Sequence, residues 1–242
     1  MGKGLVIIPT YNEAVNIRKI IQAVLYVSDR LEVLIIDDNS PDHTAQIVEE
    51  IMQSNPKVHL IKRPRKMGLG TAYVMGFDYV LKNEFDFAFE MDADFSHDPD
   101  DLPRFINLID SRDLVIGSRY IHGVSVVNWP MKRLLLSYFA CLFARIVTGV
   151  PVKDLTSGFK CYSRKALQMV NWSRFRVDGY GFQIQSVFAV HKAGLPFEEI
   201  PIIFVERREG TSKMHKHIIW EAFWLVWKLR FVSIFRRKWL WT

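Results

Sequence analysis

An α/β fold, with a mainly parallel sheet flanked by helices, is predicted by three observations. Short apolar β-branched runs alternate with amphipathic stretches from residue 4 onward, as they do in successive βαβ units. The 242 residues are 49% apolar and 24% charged, a globular composition long enough for one large domain with an appendage. Polar residues collect just after the apolar runs, at the carboxyl edge where open α/β sheets bind their ligands.

Leu5 to Ile8, Val33 to Ile36, Val58 to Ile61, Phe87 to Met91 and Leu114 to Ile116 are each bounded by polar, Gly or Pro residues, which marks them as strands. Between them, Ala14 to Tyr26, Thr44 to Met52, Thr71 to Leu81 and Asp101 to Ile109 have helical patterning, and Pro103 is tolerated in the first turn of the last. Beyond residue 120 the pattern changes. Leu134 to Ala144 is an uncharged run between Arg133 and Arg145, well short of the ~20 residues that cross a bilayer, so it predicts a buried or interfacial helix. Thr156-Ser157-Gly158 is a turn entering a strand, and Tyr180-Gly181-Phe182-Gln183 opens a further helix. Ile218 to Trp241 is long enough to span a membrane, but Glu221, Lys228, Arg230 and the Arg236 to Lys238 cluster interrupt it. The expected division is a catalytic domain over 1–214, with an interfacial helix near 130–147, and an amphipathic basic and aromatic tail over 215–242.

Composition excludes several function classes. The two cysteines, Cys141 and Cys161, have neither CxxC nor Cys/His spacing, which removes zinc and redox chemistry and points to free core thiols in a reducing compartment. No signal peptide is expected, because only four to five apolar residues precede Pro9. Neither GxGxxG nor GxxxxGK[ST] occurs. The net charge of +6 is concentrated in the tail, which also holds five of the seven Trp. A membrane surface is the partner this favours over nucleic acid, whose phosphates the acidic sheet edge would repel.

That edge carries the chemistry. Asp92 and Asp94 occupy alternate positions at a strand end, so both carboxylates can face one hard cation; a solvated acidic turn is the alternative. Asp37 and Asp38 follow a wholly apolar strand, where one can hold a base or ribose and the other cap a turn. Tyr11 can stack on a base and Glu13 can accept from a base or sugar, although Asn12 or Glu13 can equally cap the helix that follows.

PTYNE, DDNSPDHT, MGLGTA, MDADFSHDP, GSRY, NWPMKRLLLS, DLTSGFKCYSR, GYGFQIQ and RREGTSKM, in this order, resemble the motif series of the inverting family 2 glycosyltransferases. Within that family the dolichol-phosphate (polyprenol-phosphate) mannosyltransferases match best, over residues 4 to about 214. The resemblance implies a GT-A fold that uses a nucleotide-diphospho-sugar with Mg²⁺ or Mn²⁺. Position by position, it assigns Pro9, Tyr11, Glu13, Asp37 and Asp38 to the nucleoside and Asp92, Asp94 and Ser96 to the metal. Ser96 stands where the family often has Gln, so a bridging water is implied. Arg119, Arg133 and Ser137 fall at the acceptor phosphate. Arg207 and Lys213 fall in a loop hinged at Gly210 that closes over the diphosphate. Asp92 and Lys213 thus belong to the donor site, and Asp94, Arg119, Arg133 and Arg207 make up the catalytic set. Asp154 is implied to contact the sugar, and Gln185 stands where family members commonly carry Glu.

The implied reaction is transfer of mannose from GDP-mannose to a polyprenyl (dolichyl-type) monophosphate with inversion. It would run at the cytoplasmic face of a membrane, with peripheral attachment and room for a membrane-anchoring partner subunit. Two other functions compete: the same chemistry with UDP-glucose, and a membrane-surface binding protein on a degenerate transferase fold.

Overall fold

The structure, a computed structural model, describes residues 2–175, 179–206 and 216–235, with side chains for 223–232 of the final segment. Its main sheet has seven strands: β1 (Gly4–Thr10), β2 (Leu31–Asp37), β3 (Val58–Lys62), β4 (Phe87–Glu90), β5 (Leu114–Ser118), β7 (Lys160–Ser163) and β8 (Phe197–Pro201). Their spatial order is β3-β2-β1-β4-β7-β5-β8. All neighbours pair in parallel except β7, which runs antiparallel between β4 and β5. A separate two-stranded parallel ladder joins β6 (Val126–Val127) to β9 (Phe204–Val205).

The centre of the sheet is apolar on both faces because helices cover both. Every residue of β2 is buried, whereas the edge strand β3 is mostly half-exposed. On one face, α1 (Ile17–Val27), α2 (Thr44–Ser54) and α4 (Leu102–Ile109) close a core around Val6, Ile8, Val33 and Ile35. The first of these buries Ile17, Ile20, Ile21 and Val24, a helical stripe. It starts later than its pattern suggests because the Glu13 carbonyl first closes a turn, accepting from Asn16 and Ile17 N–H at 3.0 and 2.9 Å. A 3₁₀ turn over Pro99–Asp101 precedes α4, with the Asp98 side chain accepting from Asp100 N–H.

The other face carries α3 (Leu69–Lys82), α5 (Met131–Thr148), α6 (Arg164–Met169), α7 (Gly179–Lys192) and α8 (Lys216–Phe235). Gly76 lets α3 lie directly on β1, since a Cβ there would stand 2.7 Å from the Ile7 side chain. The longer α5 extends the Leu134 to Ala144 run by a turn at the front and a turn at the back, and ends at Gly149 with φ +72°, a left-handed cap. From Gly181 to Val190 every residue of α7 is buried. The final helix, α8, helps to enclose it, placing Leu225, Val226 and Leu229 in the same core at roughly 1.5–3 kcal/mol each. The described part of the tail is therefore joined to the catalytic domain by a shared core. Cys141 and Cys161 are free and buried, and burial pushes the Cys141 thiol up to about 12.

Candidate active site

The strand order turns back between β1 and β4: β2 and β3 continue outward from one side of β1, and β4 lies on the other. A crevice opens at the carboxyl ends of strands at such a point, and the loops after β1, β2 and β4 meet there.

The loop after β2 is held from within. Asp37, 1% exposed, accepts from Thr10 Oγ1 at 2.9 Å, Ser40 N–H at 2.9 Å and Ser40 Oγ at 2.6 Å. Its carboxylate ties β1 to β2 and braces the loop that the motifs assign to the nucleoside. Asp38 accepts from Arg63 Nε at 2.5 Å, and Arg63 also donates to Thr71 Oγ1 at 2.7 Å and the Gly68 carbonyl at 3.0 Å. Both side chains are buried, so Asp38 presents a carboxylate already paired with a cation. Arg63 is absent from the motif-based set. Its signal was its position, directly after the third strand on the same edge as the acidic residues.

Asp42 fastens the two loops further, accepting from Ala14 N–H at 2.9 Å and Thr44 Oγ1 at 2.6 Å. Burial raises its pKa, but the hydrogen bonds from Thr44 and Ala14 outweigh this and hold it below the usual value. Glu13 is buried, donates its N–H to Thr44 Oγ1 at 3.0 Å and accepts from Asn16 Nδ2 at 3.1 Å. Tyr11, 41% exposed, forms a wall of the crevice with the Lys66 ammonium 4.6 Å from its ring centroid, and Pro9 is half-buried beside it.

After β4, Asp92 and Asp94 are half-buried at the crevice. Asp94 Oδ1 accepts from Ser96 N–H at 3.0 Å and Ser96 Oγ at 2.5 Å, while Ser96 itself is 2% exposed. The Ser96 hydroxyl therefore orients Asp94, next to the place the motifs assign to the metal. His97 is buried against Phe159, with ring centroids 4.9 Å apart, and its Nδ1 accepts the Asp92 N–H at 3.2 Å. Burial lowers its pKa to about 4, so at neutral pH the ring is uncharged with its proton on Nε2. Hard carboxylate oxygens on one edge suit Mg²⁺ or Mn²⁺. Among the described residues no third His, Cys, Asp or Glu joins a cluster able to hold a metal. A cation bound there would complete its oxygen shell from water and a diphosphate.

A second centre follows β5. Arg119 is 5% exposed; its Nε and Nη2 meet Asp154 Oδ2 and Oδ1, both at 2.6 Å, and Nη2 also reaches Thr156 Oγ1 at 2.8 Å. Asp154 is fully buried and both its oxygens accept from Arg119. The Trp129 ring lies near both guanidinium groups, with its centroid 5.4 Å from Arg119 Cζ and 4.3 Å from Arg133 Cζ. Tyr120 Oη donates to Ser137 Oγ at 2.9 Å. The structure thus brings Arg119, Arg133 and Ser137 together through the aromatic residues Trp129 and Tyr120. Arg207, Gly210 and Lys213 lie outside the described residues.

Next to this cluster α5 and α8 present an apolar surface. Leu135, Phe139 and Ile146 on one, and Trp224, Trp227 and Phe231 on the other, are exposed. Phe143 and Phe223 stack between the helices at 5.1 Å. Among the described residues no helix is long and apolar enough to cross a membrane.

Comparison with known proteins is consistent with this geometry. Residues 5–170 match the domain described as glycosyl transferase family 2. The chain is 41% identical over 232 residues to the polyprenol monophosphomannose synthase of Mycolicibacterium smegmatis, covering 94% of this chain and 88% of that one. It is 39% identical over 218 residues to the undecaprenyl-phosphate mannosyltransferase of Micrococcus luteus, covering 90% of each. Among solved structures it resembles glucosyl-3-phosphoglycerate synthase from Mycobacterium tuberculosis. The complex of that enzyme with phosphoglyceric acid has a TM-score of 0.69 at 17% identity, covering 94% of this chain and 80% of that one. The complex with Mn²⁺, UDP-glucose and phosphoglyceric acid also gives 0.69 at 17% identity, covering 95% and 80%. At that identity the likeness is one of fold, the GT-A arrangement the motifs imply.

Proposed function

The chain belongs to glycosyl transferase family 2, and from that premise we propose that it transfers mannose from GDP-mannose to a polyprenyl monophosphate, with inversion at the anomeric carbon. The observation that carries this proposal is the juxtaposition of two unlike centres. An acidic crevice suited to a nucleotide-sugar and its cation adjoins a cluster of two arginines and aromatic rings at the head of a helix with an exposed apolar face.

An acceptor phosphate oxygen is already anionic near neutral pH, so the enzyme needs no strong general base. One such oxygen bonds to the anomeric carbon while the bond from that carbon to the GDP oxygen breaks, and GDP leaves with the electron pair. Arg133 and Ser137 position the phosphate, and Arg119, held rigid by Asp154, directs any remaining N–H donors toward it. Tyr11, Glu13 and Pro9 line the nucleoside side, and the Arg63-paired Asp38 shapes its floor. Asp92 and Asp94 would hold Mg²⁺ or Mn²⁺, which supplies Lewis-acid stabilisation of diphosphate charge when bound. Arg207 and Lys213 would add cationic charge to the leaving diphosphate.

The exposed faces of α5 and α8 support peripheral attachment at the cytoplasmic face, where nucleotide-sugars are available. Trp favours the headgroup level, and a polyprenyl phosphate presents its charge at the same depth. The test is incubation with radiolabelled GDP-mannose or UDP-glucose and a polyprenyl phosphate, followed by organic extraction. Label is expected in the lipid phase from GDP-mannose. Label from UDP-glucose alone would replace the donor assignment, and label from neither would leave only a binding protein.

A further inference from the structure

Arg133 is held by a carboxylate from a distant part of the chain. Its Nη1 donates to Glu206 Oε1, and the two side chains are 20% and 23% exposed. The small second sheet builds this contact. Val126 and Val127 pair with Phe204 and Val205, and the Glu206 N–H donates to the Val127 carbonyl at 3.1 Å. Beyond Val127 the chain runs through Trp129 into the first turn of α5, where the Arg133 N–H donates to the Pro130 carbonyl at 2.9 Å. Backbone pairing thus sets carboxylate and guanidinium opposite each other, and a side-chain rotation alone can part them.

More donors than acceptors surround this pair. Arg133 Nε and Trp129 Nε1 are buried with no hydrogen-bond partner among the described residues. Buried N–H groups are ordinarily satisfied, and beside this ion pair two donors are left over that Glu206 does not engage. A phosphate monoester has three terminal oxygens and nearly two negative charges, so it can engage donors that Glu206 leaves over.

We infer that Glu206 is a resident stand-in for the acceptor's phosphate, holding Arg133 until a phosphate monoester displaces it. This rests on the proposal that Arg133 belongs to the acceptor site. The exchange spares a partly buried guanidinium from standing uncompensated between turnovers. It also favours product release. Glycosyl transfer turns the monoester into a diester with a single negative charge, which competes less well with Glu206 for Arg133 than the incoming substrate does.

The test is a double-mutant cycle with E206Q, R133A and R133A/E206Q, and R133K replaces R133A if thermal melting shows the alanine variant unfolded. Binding of a short-chain polyprenyl monophosphate in detergent and binding of GDP are titrated separately. Removing the competing carboxylate should tighten polyprenyl phosphate binding by roughly three- to tenfold, the range expected when a partly exposed ion pair withholds the binding-competent state. GDP binding should stay unchanged, and the gain should vanish when Arg133 is absent. Weaker or unchanged lipid-phosphate binding by E206Q would overturn the inference while leaving Arg133 an acceptor residue. An equal gain in the R133A background would overturn it too, marking Glu206 as a source of general repulsion. Equal binding by wild type and R133A would instead remove the acceptor assignment of Arg133, and the exchange with it.

Discussion

Arg119 and Asp154 form a closed, two-pronged ion pair inside the protein, linking the end of β5 to the turn that leads into β7. A third bond runs from the Arg119 N–H to Asp154 Oδ2 at 3.0 Å, so the carboxylate fixes the backbone of Arg119 as well as its side chain. Breaking a buried pair strands the remaining charge. Asp154→Ala should therefore destabilise the fold by about 3–5 kcal/mol in urea denaturation. A loss below about 1 kcal/mol would mean that solvent reaches the guanidinium once the carboxylate is gone.

The same pair sets an acid limit. Burial alone would raise the Asp154 pKa, but Arg119 outweighs it and holds the carboxyl below its usual value. A depressed carboxylate contributes stability that is present above its unfolded pKa of about 3.9 and is lost as pH falls through the lower folded value. Below about pH 4 the unfolding free energy of the wild type should fall more steeply than that of Asp154→Asn. Parallel curves across that range would show that the pair does not govern the acid limb.

Ser96 should matter through Asp94. Removing the hydroxyl takes away the shorter of the two Ser96 bonds to Asp94 Oδ1 and leaves the backbone one, so Ser96→Ala should weaken Mn²⁺ binding by about 10-fold, as loss of an outer-shell partner does. The readout is Mn²⁺ titration by electron paramagnetic resonance. Asp94→Asn should lose most of the binding, and EDTA should abolish transfer in the wild type. Full transfer in EDTA would remove the metal from the mechanism.

Trp129 touches both arginines, and its loss should be felt at the acceptor alone. With cation–π contacts worth about 1 kcal/mol each, Trp129→Ala should lower acceptor kcat/KM by roughly tenfold or more, whereas Trp129→Phe keeps most of it. GDP affinity, measured in parallel, should not change. Equal damage to both substrates would make Trp129 a general structural element.

Attachment can be probed without touching the site. Phe139→Glu and Trp224→Glu each place a charge on the exposed apolar surface, away from the buried Leu225, Val226 and Leu229. Each should reduce sedimentation with anionic liposomes by several-fold while leaving the melting temperature within a few degrees. Sedimentation equal to wild type in the double variant would exclude this surface as the attachment face.

Where local pattern and tertiary surroundings agreed, the sequence was a good guide. The five N-terminal strands and the helices between them were legible from period and punctuation because each buries one continuous stripe or run. The antiparallel sense of β7 was not, since KCYS carries no mark of direction and the choice is made by its neighbours β4 and β5. At the site, the motifs picked out residues that folding brings to one sheet edge but could not show which carboxylates are already engaged by other parts of the chain. Asp37, Asp38 and Asp154 are as acidic on paper as Asp92. The partners of the first three, Ser40, Arg63 and Arg119, come from a local turn and from distant strands, which no motif shows. The importance of Arg63 and Glu206 is likewise invisible until folding brings each beside its opposite charge.

The insertion of β7 has a further consequence for how the chain is made. While only the first 150 residues have emerged from a ribosome, β4 has an open edge and β5 has no partner, because both of its neighbours in the sheet are synthesised later. The nascent chain therefore carries an unpaired, strongly apolar strand edge until residue 163 is available, an exposure that invites strand-to-strand aggregation. A chaperone holding the segment around 114–118 would act at the interval of greatest risk, and truncations ending between 120 and 155 should be found in inclusion bodies.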